Sequence, residues 1–325
     1  MKILVTGGAG FIGSCFIRQT LKSYPNDKII NLDALTYAGN IENLDDIKNN
    51  SNYSFVHGNI CDKKLVTELI KEVDAVINFA AESHVDRSIS GPEIFVETNI
   101  AGTLNLLQAA KDAKIERYLQ VSTDEVYGSL GKEGYFYETT PLAPNSPYSA
   151  SKASADMLVR AYYETYKLPT LTTRCSNNYG PYQYPEKLIP FFISKLLKGE
   201  KVPVYGDGQN VRDWLYVYDH CNAINTVLRK GKVGEIYNIG GHNEKTNLEI
   251  TQIILDAMGK DETSIKYVED RLGHDRRYAI DNHKIQSELG WEPSVTFEEG
   301  IKLTIDWYLN NQSWIKSIEN KKIGA

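Results

Sequence analysis

Met1-Lys2-Ile3-Leu4-Val5-Thr6-Gly7-Gly8-Ala9-Gly10-Phe11-Ile12-Gly13 is the stretch that decides the fold. A short apolar run breaks into glycines and resumes as a helical pattern over 11–23, which reads as strand, tight turn and helix. Gly8, Gly10 and Gly13 satisfy G-x-G-x-x-G, and Gly7, Gly10 and Gly13 satisfy G-x-x-G-x-x-G equally. Both serve one physical need: a backbone without Cβ atoms that can approach a pyrophosphate, at a helix N-terminus whose free N–H groups attract the anion. Glycine clusters also occur in ordinary turns, so context decides. Asp33 lies twenty residues after Gly13, at the end of the next apolar run. A carboxylate there accepts both hydroxyls of an adenosine ribose and repels a 2′-phosphate, which favours NAD over NADP.

Further short apolar runs, Lys28 to Leu32, Tyr53 to Val56, Ala75 to Phe79 and Tyr118 to Val121, are separated by helical patterns near 62–71, 92–112 and 147–167. This alternation predicts an α/β chain with a doubly wound, parallel Rossmann sheet covered on both faces. Residues 1–175 are expected to form the NAD-binding domain, completed by later segments near 213–235. After 175, prolines and glycines cut the chain into shorter pieces. Helical patterns return near 187–198, 219–229, 247–258, 282–289 and 296–309, with a strand-like run from Glu235 to Ile239. Residues 176–325 are expected to form mainly a smaller C-terminal α/β lobe for substrate.

The chain has 325 residues, 42% of them hydrophobic, and a formal charge of -6 from 36 basic and 42 acidic side chains. No polybasic tract argues for nucleic acid or a lipid surface, so an anionic ligand needs a local basic pocket. Cys15, Cys61, Cys175 and Cys221 stand far apart with no C-x-x-C pair, against both a disulfide framework and a zinc site. Glycines follow the first apolar run too early for a signal peptide, and no segment reads as a membrane span. A cytoplasmic location without metal is expected.

Tyr148-Ser149-Ala150-Ser151-Lys152 opens a helix after Pro147, and its i, i+4 spacing puts phenol and ammonium on one face. A phenol with a pKa near 10 is a poor base, whereas a nearby ammonium and a cationic cofactor stabilise its phenolate. The motif follows Val121-Ser122-Thr123-Asp124-Glu125-Val126-Tyr127-Gly128, a strand end, where open sheets bind ligands. Successive strand residues point to opposite faces, so Asp124 and Glu125 can serve one site only if the strand ends by Thr123.

The glycine motif, Asp33, Thr123 to Gly128 and Tyr148-x-x-x-Lys152 together resemble the extended short-chain dehydrogenases, and within them the dTDP-glucose 4,6-dehydratase family. The likeness extends to Leu35-Thr36-Tyr37-Ala38-Gly39-Asn40, Arg174 to Pro181, and Asp270 to Tyr278. It implies NAD contacts from Gly7, Gly10, Phe11, Ile12 and Gly13, from Asp33, Leu35, Thr36 and Gly39, and from Asn59 and Ile60. Phe79, Ala80, Ala81, Ser83, Thr98, Tyr148, Lys152 and Asn178 complete that set, Asn178 on the nicotinamide side. For a nucleotide-diphosphate hexose it implies Ser83, His84 and Thr123, with Asn177 and Arg212 on the pyrophosphate. Lys187, Leu188, Pro203, Val204, Tyr205, Asn247, Arg271, His274 and Tyr278 surround the nucleotide. Lys187, Arg212 and a cluster of Arg271, Arg276 and Arg277 are the expected cations.

The implied chemistry is oxidation at C4 by NAD⁺ and Tyr148, removal of the acidified C5 proton by Glu125, protonation of the C6 hydroxyl by Asp124, and return of hydride to C6. Thr123 binds the C4 oxygen. The adjacent acid pair separates this reading from a 4-epimerase but leaves a UDP-glucose dehydratase open, and an idle NAD-binding scaffold is the non-enzymatic alternative. Relatives pair the helices near 92–112 and 147–167 across a homodimer interface, although core packing explains their apolar faces equally well.

Overall fold

The computed structural model describes residues 1–270 and 272–323, without the side chains of 321–323. In chain order the strands are β1 (Lys2–Thr6), β2 (Lys28–Asp33), β3 (Tyr53–His57), β4 (Ala75–Asn78), β5 (Arg117–Thr123) and β6 (Thr170–Cys175), followed by β7 (Asn177–Tyr179), β8 (Val202–Tyr205), β9 (Val211–Tyr216), β10 (Ile236–Ile239), β11 (Glu244–Thr246) and β12 (Ile265–Val268). Seven form one parallel sheet in the order β10-β6-β5-β4-β1-β2-β3. β1 pairs with β2 on one side, Thr6 opposite Leu32, and with β4 on the other, Thr6 opposite Asn78. The chain winds outward in both directions from β1, so a crevice opens beyond the carboxyl ends of β1 and β4. Helices cover both faces of the sheet. Phe11–Ser23 and Val217–Lys230 pack on one side, where Thr20 and Asn225 exchange side-chain hydrogen bonds. Lys63–Ile70 and Thr103–Ala113 lie on the other, with Leu106, Leu107 and Ala110 in a core beneath β4.

Two elements depart from the sequence reading. The run ending at Ile239 joins the large sheet as β10, paired with β6, instead of serving the second lobe. The pattern over 92–112 is helical but not uniformly α: a π-helical stretch, Val96–Gly102, separates Glu93–Phe95 from Thr103–Ala113. Its extra residue swings Asn99 inward. Asn99 accepts a hydrogen bond from the Glu82 N–H at 2.9 Å and donates to the Glu82 carbonyl at 3.0 Å and to Ser151 at 2.8 Å. One carboxamide thus ties the exit of β4 to the helix Pro147–Tyr166. Such π segments commonly mark functional sites.

The second lobe carries the small β11-β9-β7 sheet and the β12-β8 pair, wrapped by the helices Leu188–Leu197, Asn247–Ala257, Phe297–Asn310 and Gln312–Ile323. Tyr179, Trp214, Ile193, Ile254, Phe297 and Tyr308 pack at its centre. The cysteines are free thiols. Among the described residues no helix is long and apolar enough to cross a membrane.

Candidate active site

The glycine loop shows why no side chain fits it. Gly7 has φ +71°, and a Cβ there would lie 2.6 Å from the Ala80 amide nitrogen; at Gly13 it would run into the Gly7 carbonyl oxygen. The helix beginning at Phe11 has Gly10 as its N-cap, no capping side chain and no acid in its first turn. Its partial positive charge therefore faces the crevice unopposed. Asp33 is buried and accepts the N–H groups of Ala9 and Leu35, both at 2.8 Å. Burial pushes its carboxyl up, while these two bonds pull it back.

A cleft of about 340 Å³ runs from this loop to Tyr148 and Lys152. It is lined by Gly7, Gly10, Phe11, Ile12, Gly13, Asp33, Thr36 and Gly39, by Asn59 and Ile60 just past β3, and by Phe79, Ala80, Ala81, Ser83, Thr98 and Asn178. Leu35 is the exception. Its N–H orients Asp33 while its side chain packs on the hydrophobic core, so it acts from outside the cleft. Asn59 Oδ1 accepts the Cys61 N–H at 2.9 Å, which fixes the turn there. Tyr37, Glu82, Cys175, Gln183, Tyr184 and Glu186 also line this space. No spacing rule singles them out; Glu82 and Glu186 stand only beside residues that sequence reasoning does select.

β5 ends at Thr123, and Asp124–Tyr127 form one 3₁₀ turn. That change of backbone lets two adjacent acids approach one site. Thr123 caps the turn: its hydroxyl accepts the Glu125 N–H and donates to Asp124 Oδ1, both at 3.3 Å. Gly128 closes it at φ +90°, with the Ala143 carbonyl where a Cβ would sit. The turn is bolted down by Tyr127, whose hydroxyl donates to Asn238 at 2.8 Å and accepts from Arg174 at 2.9 Å. Arg174 in turn holds Asp156 of the helix Pro147–Tyr166 at 2.9 Å.

Asp124 is 1% exposed, and its Oδ2 has no hydrogen-bond partner among the described residues. Burial first, then the charges of Glu125 and Asp213, hold its carboxyl well above the usual carboxylate range, against a smaller opposing pull from Arg212. That direction favours the protonated form of the carboxyl. Tyr148 is buried, and its phenol is also pushed up, by burial and then by Glu125, with a Thr123 hydrogen bond working the other way. Lys152 is depressed by burial and donates to the Val121 carbonyl at 2.7 Å. Burial and then the nearby Glu125, rather than the Lys152 ammonium, are the leading influences on the phenol.

A second cleft of about 440 Å³ meets the first at Ser83, Glu125, Asn177, Glu186 and Lys187. His84, Leu188, Pro203, Val204, Tyr205, Arg212, Asn247, His274 and Tyr278 also line it. Arg212 is fixed by bonds to the Val211 and Asp275 carbonyls at 2.7 and 2.9 Å, and its guanidinium lies 4.3 Å above the Tyr278 ring. Lys187 donates to the Ser83 carbonyl at 3.0 Å. Arg271 lies outside the described residues. Of the other two arginines expected beside it, Arg276 pairs with Asp207 at 2.8 Å and Arg277 with Glu244 at 2.6 Å, and neither lines the cleft. Each guanidinium has a carboxylate within reach of its own strand end or turn, which satisfies it locally.

The sequence profile described as GDP-mannose 4,6 dehydratase matches residues 4–304. The chain belongs to this family. A curated family relative, the dTDP-glucose 4,6-dehydratase of Xanthomonas campestris pv. campestris (strain B100), is 57% identical over 335 residues, covering 97% of this chain and 95% of the relative. The crystal structure of DesIV, a dTDP-glucose 4,6-dehydratase from Streptomyces venezuelae with NAD bound, aligns with a TM-score of 0.96 and 53% identity over 98% of this chain and 100% of that one. A UDP-glucose 4-epimerase from Thermotoga maritima with UDP-glucose aligns at 0.89 and 32%, over 96% and 100%. The fold is shared across both chemistries, so the choice between them rests on the site.

Proposed function

We propose that this protein converts dTDP-glucose to dTDP-4-keto-6-deoxyglucose and water, with NAD regenerated in each cycle. The observation that carries the reading is the 3₁₀ turn after β5, which sets a buried Asp124, its carboxyl pushed up by burial, beside Glu125 where two clefts meet. The names of the family relatives support the same substrate. The first cleft fits NAD on its own terms: no room for a Cβ at Gly7 or Gly13, an uncapped helix N-terminus, and an Asp33 whose oxygens each accept only one N–H.

Bound NAD⁺ supplies a two-electron acceptor that is reduced when C4 is oxidised and reoxidised when C6 is reduced. Tyr148 takes the C4 hydroxyl proton, helped by the Thr123 hydroxyl, which favours the phenolate. The new C4 ketone acidifies C5; Glu125 takes that proton and returns it to C5 when hydride reaches C6. Asp124 delivers its own proton to the C6 oxygen, which leaves as water; the unpartnered Oδ2 is the atom suited to do so. Arg212 and Lys187 offer N–H donors to the diphosphate from the second cleft.

The test is incubation of the purified protein with dTDP-glucose and, separately, UDP-glucose, without added NAD, following the 4-keto-6-deoxy sugar by mass spectrometry. Product from dTDP-glucose is expected. Product from UDP-glucose alone reassigns the base, and a C4 epimer without dehydration overturns the reaction.

A homodimer is part of the proposal. Ile94 is 44%, Val96 54%, Leu104 42% and Met157 59% exposed, an apolar group on the helical segments expected to pair. A reducing cytosol suits four free thiols.

A further inference from the structure

Asn178, in β7, faces the first cleft, and behind it stands a residue outside the catalytic scheme. His220, on the helix Val217–Lys230, is 0% exposed, and its Nδ1 lies 2.9 Å from Asn178 Oδ1. The other end of the same carboxamide, Nδ2, donates to the Ser176 carbonyl at 3.0 Å. A carbonyl only accepts, so the amide cannot be flipped: nitrogen faces Ser176 and oxygen faces the imidazole. Nδ1 must then carry the ring proton, leaving Nε2 bare, and Nε2 indeed finds no partner among the described residues. Burial drives the imidazole down to about 3, so it stays neutral at working pH. Gln183 also fixes the backbone here, donating to the Asn178 carbonyl at 2.8 Å.

We propose that His220 is a positioning residue for the cofactor, holding the Asn178 carboxamide so that the second Nδ2 hydrogen is available to a carbonyl acceptor in the cleft, the carboxamide of the nicotinamide ring. The inference rests on the NAD reading above. It separates two roles that distance to the ligand alone confuses, since His220 touches no ligand and acts only through Asn178.

The experiment measures release of NAD from the loaded protein, chased with excess unlabelled NAD, in wild type, H220F, H220N, N178A and the H220F/N178A double variant. H220F is expected to release NAD about tenfold faster, the scale of one hydrogen bond, with dTDP affinity unchanged within about twofold. H220N, whose amide nitrogen reproduces the Nδ1 donor, is expected to recover most of the loss. The double variant is expected to match N178A alone. Wild-type release from H220F, no recovery in H220N, or additive losses overturn the inference. If H220F fails to fold, ¹⁵N spectra of the wild-type imidazole decide: an Nδ1–H tautomer supports it and an Nε2–H tautomer overturns it. Wild-type protein that takes up no NAD overturns the cofactor reading instead.

Discussion

Thr123 carries a single hydroxyl proton and stands between two acceptors, the Asp124 carboxyl and the Tyr148 phenol oxygen. When the proton turns to Tyr148 the phenolate gains a donor, and Asp124 loses the bond that favours its ionised form. In the proposed reaction one rotation suits both Tyr148 as base and Asp124 as acid. Asp124→Asn and Glu125→Gln are each expected to lower product formation by about 10²- to 10⁴-fold while C4 oxidation persists, seen as reduced-NAD absorbance in a single turnover; unimpaired product in both variants would sink the assignment. Asp124 also sets a pH dependence. Its folded pKa is raised, so folding favours the protonated form, and that stabilisation is lost as pH rises through the folded pKa. Thermal stability of the cofactor-free protein between about pH 5 and about pH 8 is therefore expected to fall less in D124N than in wild type, as read by melting temperature. The acids, the phenol and the lysine were legible because strand end and helix start fix where they stand. Arg276 and Arg277 were not, since a count of cations cannot show that Asp207 and Glu244 already hold them.

The 3₁₀ turn after β5 depends on a brace made from three other elements. Arg174 on β6 and Asn238 on β10 bond Tyr127, while Asp156 on the Pro147–Tyr166 helix holds Arg174, and the Arg174–Asp156 pair is only 4% and 2% exposed. Removing one partner leaves a buried charge uncompensated, so Asp156→Asn is expected to cost about 3–5 kcal/mol in urea denaturation. A loss below about 1 kcal/mol would contradict the brace. The same pair explains why β6 was missed. Thr-Leu-Thr-Thr-Arg-Cys has no apolar run and carries a cation, yet every residue is buried, because tertiary partners supply what the local pattern lacks. The π-helical stretch escaped for a different reason: one extra residue barely disturbs the hydrophobic rhythm over twenty positions. Gly13 was readable because its constraint is local. Gly13→Ala is expected to displace the loop and weaken NAD binding at least tenfold by titration, an effect absent from a control such as Gly131→Ala, where a Cβ meets nothing.

At the scale of the molecule, light scattering is expected to give about twice 36.6 kDa, and a Leu104→Lys, Met157→Lys variant is expected to give a monomer that still melts cooperatively. A concentration-independent monomer in wild type would contradict the pairing. The parallel sheet was predictable as a class from its alternating runs, whereas its far edge was not, because β10 is separated from β6 by the second lobe's first strands. Only Ser176 lies between β6 and β7, and the Val217–Lys230 helix, which packs on the large sheet, starts directly after β9, so the chain leaves the sheet's layer and returns to it through seams of almost no length, rejoining the sheet itself at β10. This order matters during synthesis. A nascent chain with β1 to β6 in place leaves the long, buried strand β6 as a bare edge until residue 239 emerges from the ribosome, when the shorter β10 pairs with it and takes over as the edge.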